Sequence, residues 1–451
     1  MNAALPFDRF LSTDDAVKGF GAGALIQHML DLEAALAKAQ AEEGIVPASA
    51  AAAIAAACRA ERFDAETIVA EGAVAGSVAI PLVKALTAAV AAQDAKAAAW
   101  VHWGGTSQDV IDTAMVLATR ASLARIDAGL QRTLDALTAL ARTHRDTPML
   151  ARTLLQPAQV ISVGFKLLAW IAPLVRARER LRGAANTALQ LQLAGAVGTL
   201  STLGDRGDAV VRRVAAELGL RAPEGAWHTQ RDEWAALGCE VGVLCGSLGK
   251  IALDIGLLAQ AEVGEMAEPS GGGRGGSSAM PHKRNPVGSM IVRAVALRTP
   301  QRVATLLAAM PQEHERALGA WQAELAEWPH LMLGAEGAVH ALAGVAEGLS
   351  VDAARMRGNI DALNGLVFAE AASNLFAAVL GKSAAHALLD KLAQRCVAER
   401  RPLRELAQEA RAADPALSSA VDAQALDQAF DVELAAGRAG ALADKRLTPR
   451  S

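Results

Sequence analysis

The chain has 451 residues, just over half of them apolar, with a formal net charge of −4, four cysteines and no tyrosine. That length buries a substantial core and leaves room for about three domains. The charge balance offers no basic surplus to draw nucleic acid, and Cys58, Cys239, Cys245 and Cys396 lack the CxxC spacing of a disulfide or zinc framework.

Abundant alanine and few aromatic or β-branched residues favour helix over sheet. The N-terminal MNAALPFDRFLS has no basic flank leading into an apolar run, and no segment approaches the roughly 20 uninterrupted apolar residues of a membrane span. The expectation is a soluble, cytoplasmic protein that engages neither membrane nor nucleic acid.

In chain order, the first helix of note is Leu25–Glu43, with Leu25, Met29, Leu32 and Leu36 on one stripe and a stop at Gly44 and Pro47. From Asp109 to about Thr143, apolar residues recur every three or four positions without a proline. Ordinary helices average about 11–12 residues, so this is a bundle-length rod. Similar stretches follow at Val160–Leu193, Trp234–Met266 and Pro286–Leu307, with a shorter one at Ala320–Leu349. Most are apolar on more than one face, as expected of a bundle covered by other subunits as well as by itself. After Ser350 the helices shorten. The reading is an all-α fold in three helical domains: residues 1–108, a long central five-helix bundle over 109–349, and residues 350–451.

The segment Gly271–Ser289, GGGRGGSSAMPHKRNPVGS, interrupts this pattern. Its glycines let backbone N–H groups approach an anion and let the segment move as a lid. Ser277 and Ser278 add hydroxyls, Lys283 and Arg284 add charge, and Pro286 opens a helix whose N-terminus also favours an anion. The G-x-x-x-x-G-K-[ST] pattern of a P-loop is absent from it. Four further polar clusters stand out: HWGGTSQDVIDT from His102, ARTLLQPAQ from Ala151, WHTQRDEW from Trp227 and QEHERALGAWQAE from Gln312. Ser107 or Asp109 would cap the following helix, and ARTLLQPAQ alone reads as a helix-connecting loop. Taken singly, His228, Arg231 and Arg316 fit interhelical salt bridges as well as they fit a site. The nine histidines show no HxxxH or HExxH pairing, so no metal is implied.

In sequence order, TSQD at Thr106–Asp109, TLLQ at Thr153–Gln156 and GSSAMPHKRNP at Gly276–Pro286 resemble the TSxD, TxxQ and GSSxMPxKxNP motifs of the fumarase/aspartase superfamily, over essentially the whole chain. The resemblance implies a homotetramer with a shared helical core, active sites built from three subunits, a loop that closes over a small polycarboxylate, and no cofactor. It gives Ser277 the proton transfer at the carbon beside a carboxylate. An unassisted serine hydroxyl does this poorly, so its alkoxide needs nearby N–H groups and cations. Lys283 and Asn285 would hold the carboxylate whose charge grows, and Thr106, Ser107, Thr153 and Gln156 would fix the remaining oxygens.

Leu154 stands where the amine- and water-eliminating members usually carry histidine, and an apolar side chain cannot protonate a leaving nitrogen. Trp321 and Leu325 occupy the serine and arginine positions with which adenylosuccinate lyases hold a phosphate. HWG-x-TSQD-x-x-DT, RT-x-LQ, WHTQRD and QEHER-x-x-GAW are most similar to the cycloisomerase branch, which lactonises 3-carboxy-cis,cis-muconate. In that branch a substrate carboxylate adds within its own molecule. This makes Ser277 the expected proton donor and His102 a further catalytic candidate. His102, His228, Arg231 and Arg316 are then the expected binders of the two other carboxylates. An adenylosuccinate lyase-type enzyme is the alternative, as is an inactive structural family member, against which the intact Ser277, Lys283 and Asn285 argue.

Overall fold

The computed structural model describes residues 6–447 except 272, 278 and 281, and nearly all of their regular structure is helical. Helix α1, Ala22–Glu42, buries Ile26, Met29, Leu30, Leu32 and Leu36, and buries Glu33 and Gln40 with them. Helix α2, Ser107–Thr143, is 37 residues long, about 55 Å at 1.5 Å per residue. Its cap is Thr106, one residue before the expected Ser107: the Thr106 carbonyl accepts the Val110 N–H at 3.3 Å. Asp109 takes the N3 position and accepts the Thr106 N–H at 3.1 Å, which is half of a capping box.

Where the sequence suggests a plain connecting loop, the chain forms an antiparallel hairpin of β1, Pro148–Thr153, and β2, Gln156–Ser162. Thr153 and Gln156 pair across a two-residue turn in which Leu154 and Leu155 have φ of 50° and 64°. A hairpin turn with both central residues in the left-handed region normally carries Asn-Gly, so no local signal announces it here. The Ser162 hydroxyl accepts the Phe165 N–H at 3.2 Å and starts helix α3, Val163–Ala188. This helix is shorter than expected at both ends. Residues 160–162 belong to β2, and Leu189 and Leu191 leave the helix to bond with Arg221.

Helices α4, Asp232–Leu258, α5, Val287–Ala308, and α6, Ala320–Ala346, complete the long set. They approach closely because small residues meet at their crossings. A Cβ on Gly238 would lie 2.7 Å from Leu306, and one on Gly249 would lie 2.5 Å from the Cβ of Ala296. Trp234 stacks on buried Trp328 at 3.9 Å, whose indole N–H donates to Thr119 Oγ1 at 2.8 Å. By length and composition α4 is apolar enough to cross a bilayer, although charged and polar residues interrupt its apolar run; half of its most apolar stretch is buried inside the protein.

By compactness the chain divides into two units. The first comprises residues 1–131, 174–252 and 288–343, and the second residues 132–173, 253–287 and 344–451. The core of the second gathers Phe376, Leu389, Leu392, Leu403 and Leu406 from the shorter helices, with Leu150 and Val160 of the hairpin. A two-residue strand, β3, Met266–Ala267, pairs with β4, Ser350–Val351.

Candidate active site

In the first unit the site is organised around a buried carboxylate. Asp109 accepts the N–H groups of Thr106, Ala194 and Gly195 at 3.1, 3.1 and 3.0 Å, and its Oδ1 lies 2.7 Å from Nε2 of buried His228. With a carboxylate as acceptor, that ring nitrogen is the donor. Asp109 thereby folds the 194–196 segment against the start of α2. The guanidinium of Arg316 donates to the Gly195 and Ala196 carbonyls at 3.3 and 3.1 Å and to Thr106 Oγ1 at 2.7 Å. A positive charge thus sits beside the N-terminus of a long helix, with half-buried Ser107 in its first turn. Both features favour a bound anion.

His102 has φ of 59°, and its Nδ1 lies 2.6 Å from Oε1 of Glu33, whose side chain is buried in α1. Burial by itself would lower the imidazole pKa. The charge and hydrogen bond of Glu33, with Asp109 farther off, hold it above its ordinary value.

Arg231 is buried and committed to protein carboxylates. It donates to Asp112 at 2.8 and 3.2 Å and to both oxygens of Glu324, and it lies 4.4 Å over the Trp227 ring. Burial opposes its charge, but Asp112 and Glu324 together hold its pKa above the ordinary value. Asp112 also accepts the Trp321 indole N–H at 2.9 Å and Gln108 Nε2 at 3.2 Å. Arg231 thus ties α2 and α6 to the start of α4.

In the second unit Thr153 and Gln156 are exposed at the hairpin tip, between them the 97% exposed Leu154 and 73% exposed Leu155. Arg152 anchors the hairpin through Nη1 and Nη2 to buried Glu265 at 2.9 and 2.6 Å, which also accepts Asn359 Nδ2 at 2.8 Å. In the glycine-rich loop, the Asn285 N–H donates to the Gly275 carbonyl at 2.8 Å. Gly275 has φ of 68°, and a Cβ on it would lie 2.6 Å from the Asn285 carbonyl oxygen, so only glycine fits. The Ser277 hydroxyl accepts the N–H groups of Met280 at 3.1 Å and Ala279 at 3.4 Å. Lys283 has an exposed side chain. Ser278, Gly272 and Pro281 lie outside the described residues.

The first unit therefore brings together His102, Thr106, Ser107, His228, Arg231 and Arg316, while Thr153, Gln156, Ser277, Lys283 and Asn285 belong to two segments of the second. Sequence reasoning missed Glu33, Asp112 and Glu324. Glu33 carried a signal: with Gln40 it falls at helical spacing from Ile26, Met29 and Leu30, a polar residue on an apolar face.

The chain matches the family described as Lyase over residues 8–300. The 3-carboxy-cis,cis-muconate cycloisomerase of Bradyrhizobium diazoefficiens is 47% identical over 94% of this chain and 93% of that protein. A protein of the same name from Pseudomonas aeruginosa is 47% identical over 94% of this chain and 91% of its own length. The crystal structure of 3-carboxy-cis,cis-muconate lactonizing enzyme from Pseudomonas putida is similar with a TM-score of 0.90 at 42% identity, covering 98% of each chain. The chain belongs to this lyase family, within the fumarase/aspartase superfamily that its three motifs resemble.

Proposed function

We propose that the chain is a cycloisomerase that converts 3-carboxy-cis,cis-muconate to 4-carboxymuconolactone. The observation that carries this reading is 47% identity, over 94% of the chain, to a relative of that name. Leu154 supports it, because a lactonisation has no leaving group for a TxxQ histidine to protonate.

In this mechanism a carboxylate oxygen of the substrate adds to a carbon of its own conjugated double bond. The π electrons move onto the neighbouring carboxylate as an aci-carboxylate, and Ser277 Oγ–H then protonates the carbon between them. The alkoxide left behind is stabilised by the Met280 and Ala279 N–H groups and recovers its proton from solvent, so the tricarboxylate takes up one proton as it becomes the lactone dicarboxylate, and the two acids are isomers. The substrate supplies its own proximity, leaving positioning and charge stabilisation to the protein. Lys283 and Asn285 hold the aci-carboxylate, Thr106, Ser107, Thr153 and Gln156 fix neutral contacts, and His102 and Arg316 hold the other carboxylates. His228 and Arg231, buried and paired as they are, act by positioning.

We further propose a cytoplasmic homotetramer in which residues 109–349 form the shared bundle, flanked by 1–108 and 350–451, and each site draws on three subunits. Its support is apolar surface on the long helices, with Leu297 of α5 71% exposed and Met290, Leu307 and Val243 also open, and the two exposed leucines of the hairpin tip. The test is an absorbance assay of purified protein on 3-carboxy-cis,cis-muconate, with adenylosuccinate beside it. Lactone formation from the first alone is expected; cleavage of the second, or no consumption of the first, overturns the assignment.

A further inference from the structure

We infer that Glu33 is a positioning residue of this site: it fixes the ring of His102 and favours its charged form, so that His102 grips a substrate carboxylate instead of passing a proton. The inference deepens the reading above and rests on it for the identity of the substrate. Glu33 sits on the buried face of α1 beside Met29 and Leu30. A carboxylate there needs a charged or hydrogen-bonded partner, and His102 Nδ1 at 2.6 Å is the partner it has. The short distance fits a charge-assisted bond.

The backbone around His102 is fixed to the same helix. Gln40, seven residues after Glu33 and on the same face, donates to the Trp103 carbonyl at 2.6 Å. Gly105 lies so close to the ring that a Cβ there would be 3.1 Å from Cε1 of His102. Helix α1 thus holds the 102–105 turn at two points, with His102 at a positive φ that is uncommon for any residue but glycine.

The charged groups facing His102 are Glu33 from α1 and Asp109 from the first turn of α2, with Arg316 bonded to Thr106 in that turn. Asp109 already accepts four donors, including His228, so Glu33 is the carboxylate committed to His102. The His102 side chain is 20% exposed, which leaves part of the ring open to a ligand. An imidazolium backed by a buried carboxylate keeps its proton as an anionic substrate arrives, and that makes it a good anchor and a poor acid.

The test has two arms. Histidine-labelled wild-type protein is titrated by NMR, with the His102 resonance identified by its loss in His102→Asn. The expected midpoint lies above the ordinary imidazole value of about 6.5, falls by about a unit or more in Glu33→Gln, and is partly restored in Glu33→Asp. In steady-state kinetics on 3-carboxy-cis,cis-muconate, Glu33→Gln should show KM rising about tenfold between pH 6 and pH 8 as the charge is lost, with kcat changed less than about threefold. A wild-type midpoint at or below 6.5 overturns the inference, and so does a Glu33→Gln enzyme that loses kcat with KM flat across pH. If wild-type protein leaves the muconate unchanged, the proposed function falls, and the NMR titration still decides the role of Glu33.

Discussion

The polar groups around Asp109 and Asp112 and those of the hairpin tip and glycine-rich loop are built on opposite terms. The first set is buried, and each carboxylate is bonded several times over to N–H donors of the same unit. In the second set Thr153, Gln156 and Lys283 are exposed and Ser277 and Asn285 half-buried, and at Leu154 and Leu155 it holds non-glycine residues in the left-handed region, a conformation that costs roughly 1–2 kcal/mol each. A network of the first kind makes a rigid scaffold. A surface of the second kind keeps its polar groups available for a ligand or another subunit, at the expense of local stability.

Substitutions that separate these two roles test the contrast. The largest effect should come from Ser277→Ala. Turnover should fall about 10²- to 10⁴-fold with substrate affinity within roughly tenfold and the thermal midpoint unchanged, as steady-state kinetics and melting would report; near-normal turnover would move the proton donor elsewhere. Arg231→Met should do the reverse and act on stability. Leaving Asp112 and Glu324 buried without their cation should cost about 3–5 kcal/mol in urea unfolding, and a loss below about 1 kcal/mol would contradict the packing described here. A smaller effect of opposite sign is expected from the double substitution Leu154→Asn with Leu155→Gly. It supplies the residues that the turn favours and should stabilise the hairpin by about 1–2 kcal/mol, read as slower amide exchange at Leu150 and Val160. Lactonisation should fall at the same time, because the two exposed leucines proposed to meet another subunit are gone.

The smallest effect is at Asp127, where hydrogen bonds from Arg178, with burial opposing and Arg182 assisting, depress the carboxyl pKa to about 2. Against an unfolded value of about 3.9, this pair stabilises the protein above pH 4, and the contribution disappears as pH falls from 4 towards 2. Because the pair is partly solvated, the contribution is under about 1 kcal/mol. Asp127→Asn should flatten the acid side of the stability profile within that range.

The long helices were legible because their apolar period survives over many turns, and the boundaries of α2 and α5 lie within two residues of expectation. The hairpin was not, since Leu-Leu is no turn signal and the run from Val160 to Leu168 keeps a helical period. The Gly-rich loop and the TSQD, TLLQ, WHTQRD and QEHER segments were legible as motifs, because each packs several polar residues into a short stretch. Their carboxylate partners were not. Glu33 lies 69 residues from His102, and Glu324 lies 93 from Arg231, so even where the apolar face around Glu33 marks it as unusual, nothing local says which side chain it pairs with.

Helix α2 carries Asp109, Asp112, Thr119 and Ser122 inward, each bonded to a partner on another segment: His228, Arg231, Trp328 and Glu336. One residue inserted between Asp112 and Thr119 would turn everything beyond it by about 100° and set Thr119 and Ser122 against the wrong neighbours. The helix therefore acts as a ruler that fixes a count as well as a composition. Substitutions along it can be absorbed one at a time, but a change of length there breaks several bonds together. Among relatives of this chain, insertions and deletions should accordingly fall in the connecting segments and spare the stretch from Asp109 to Ser122.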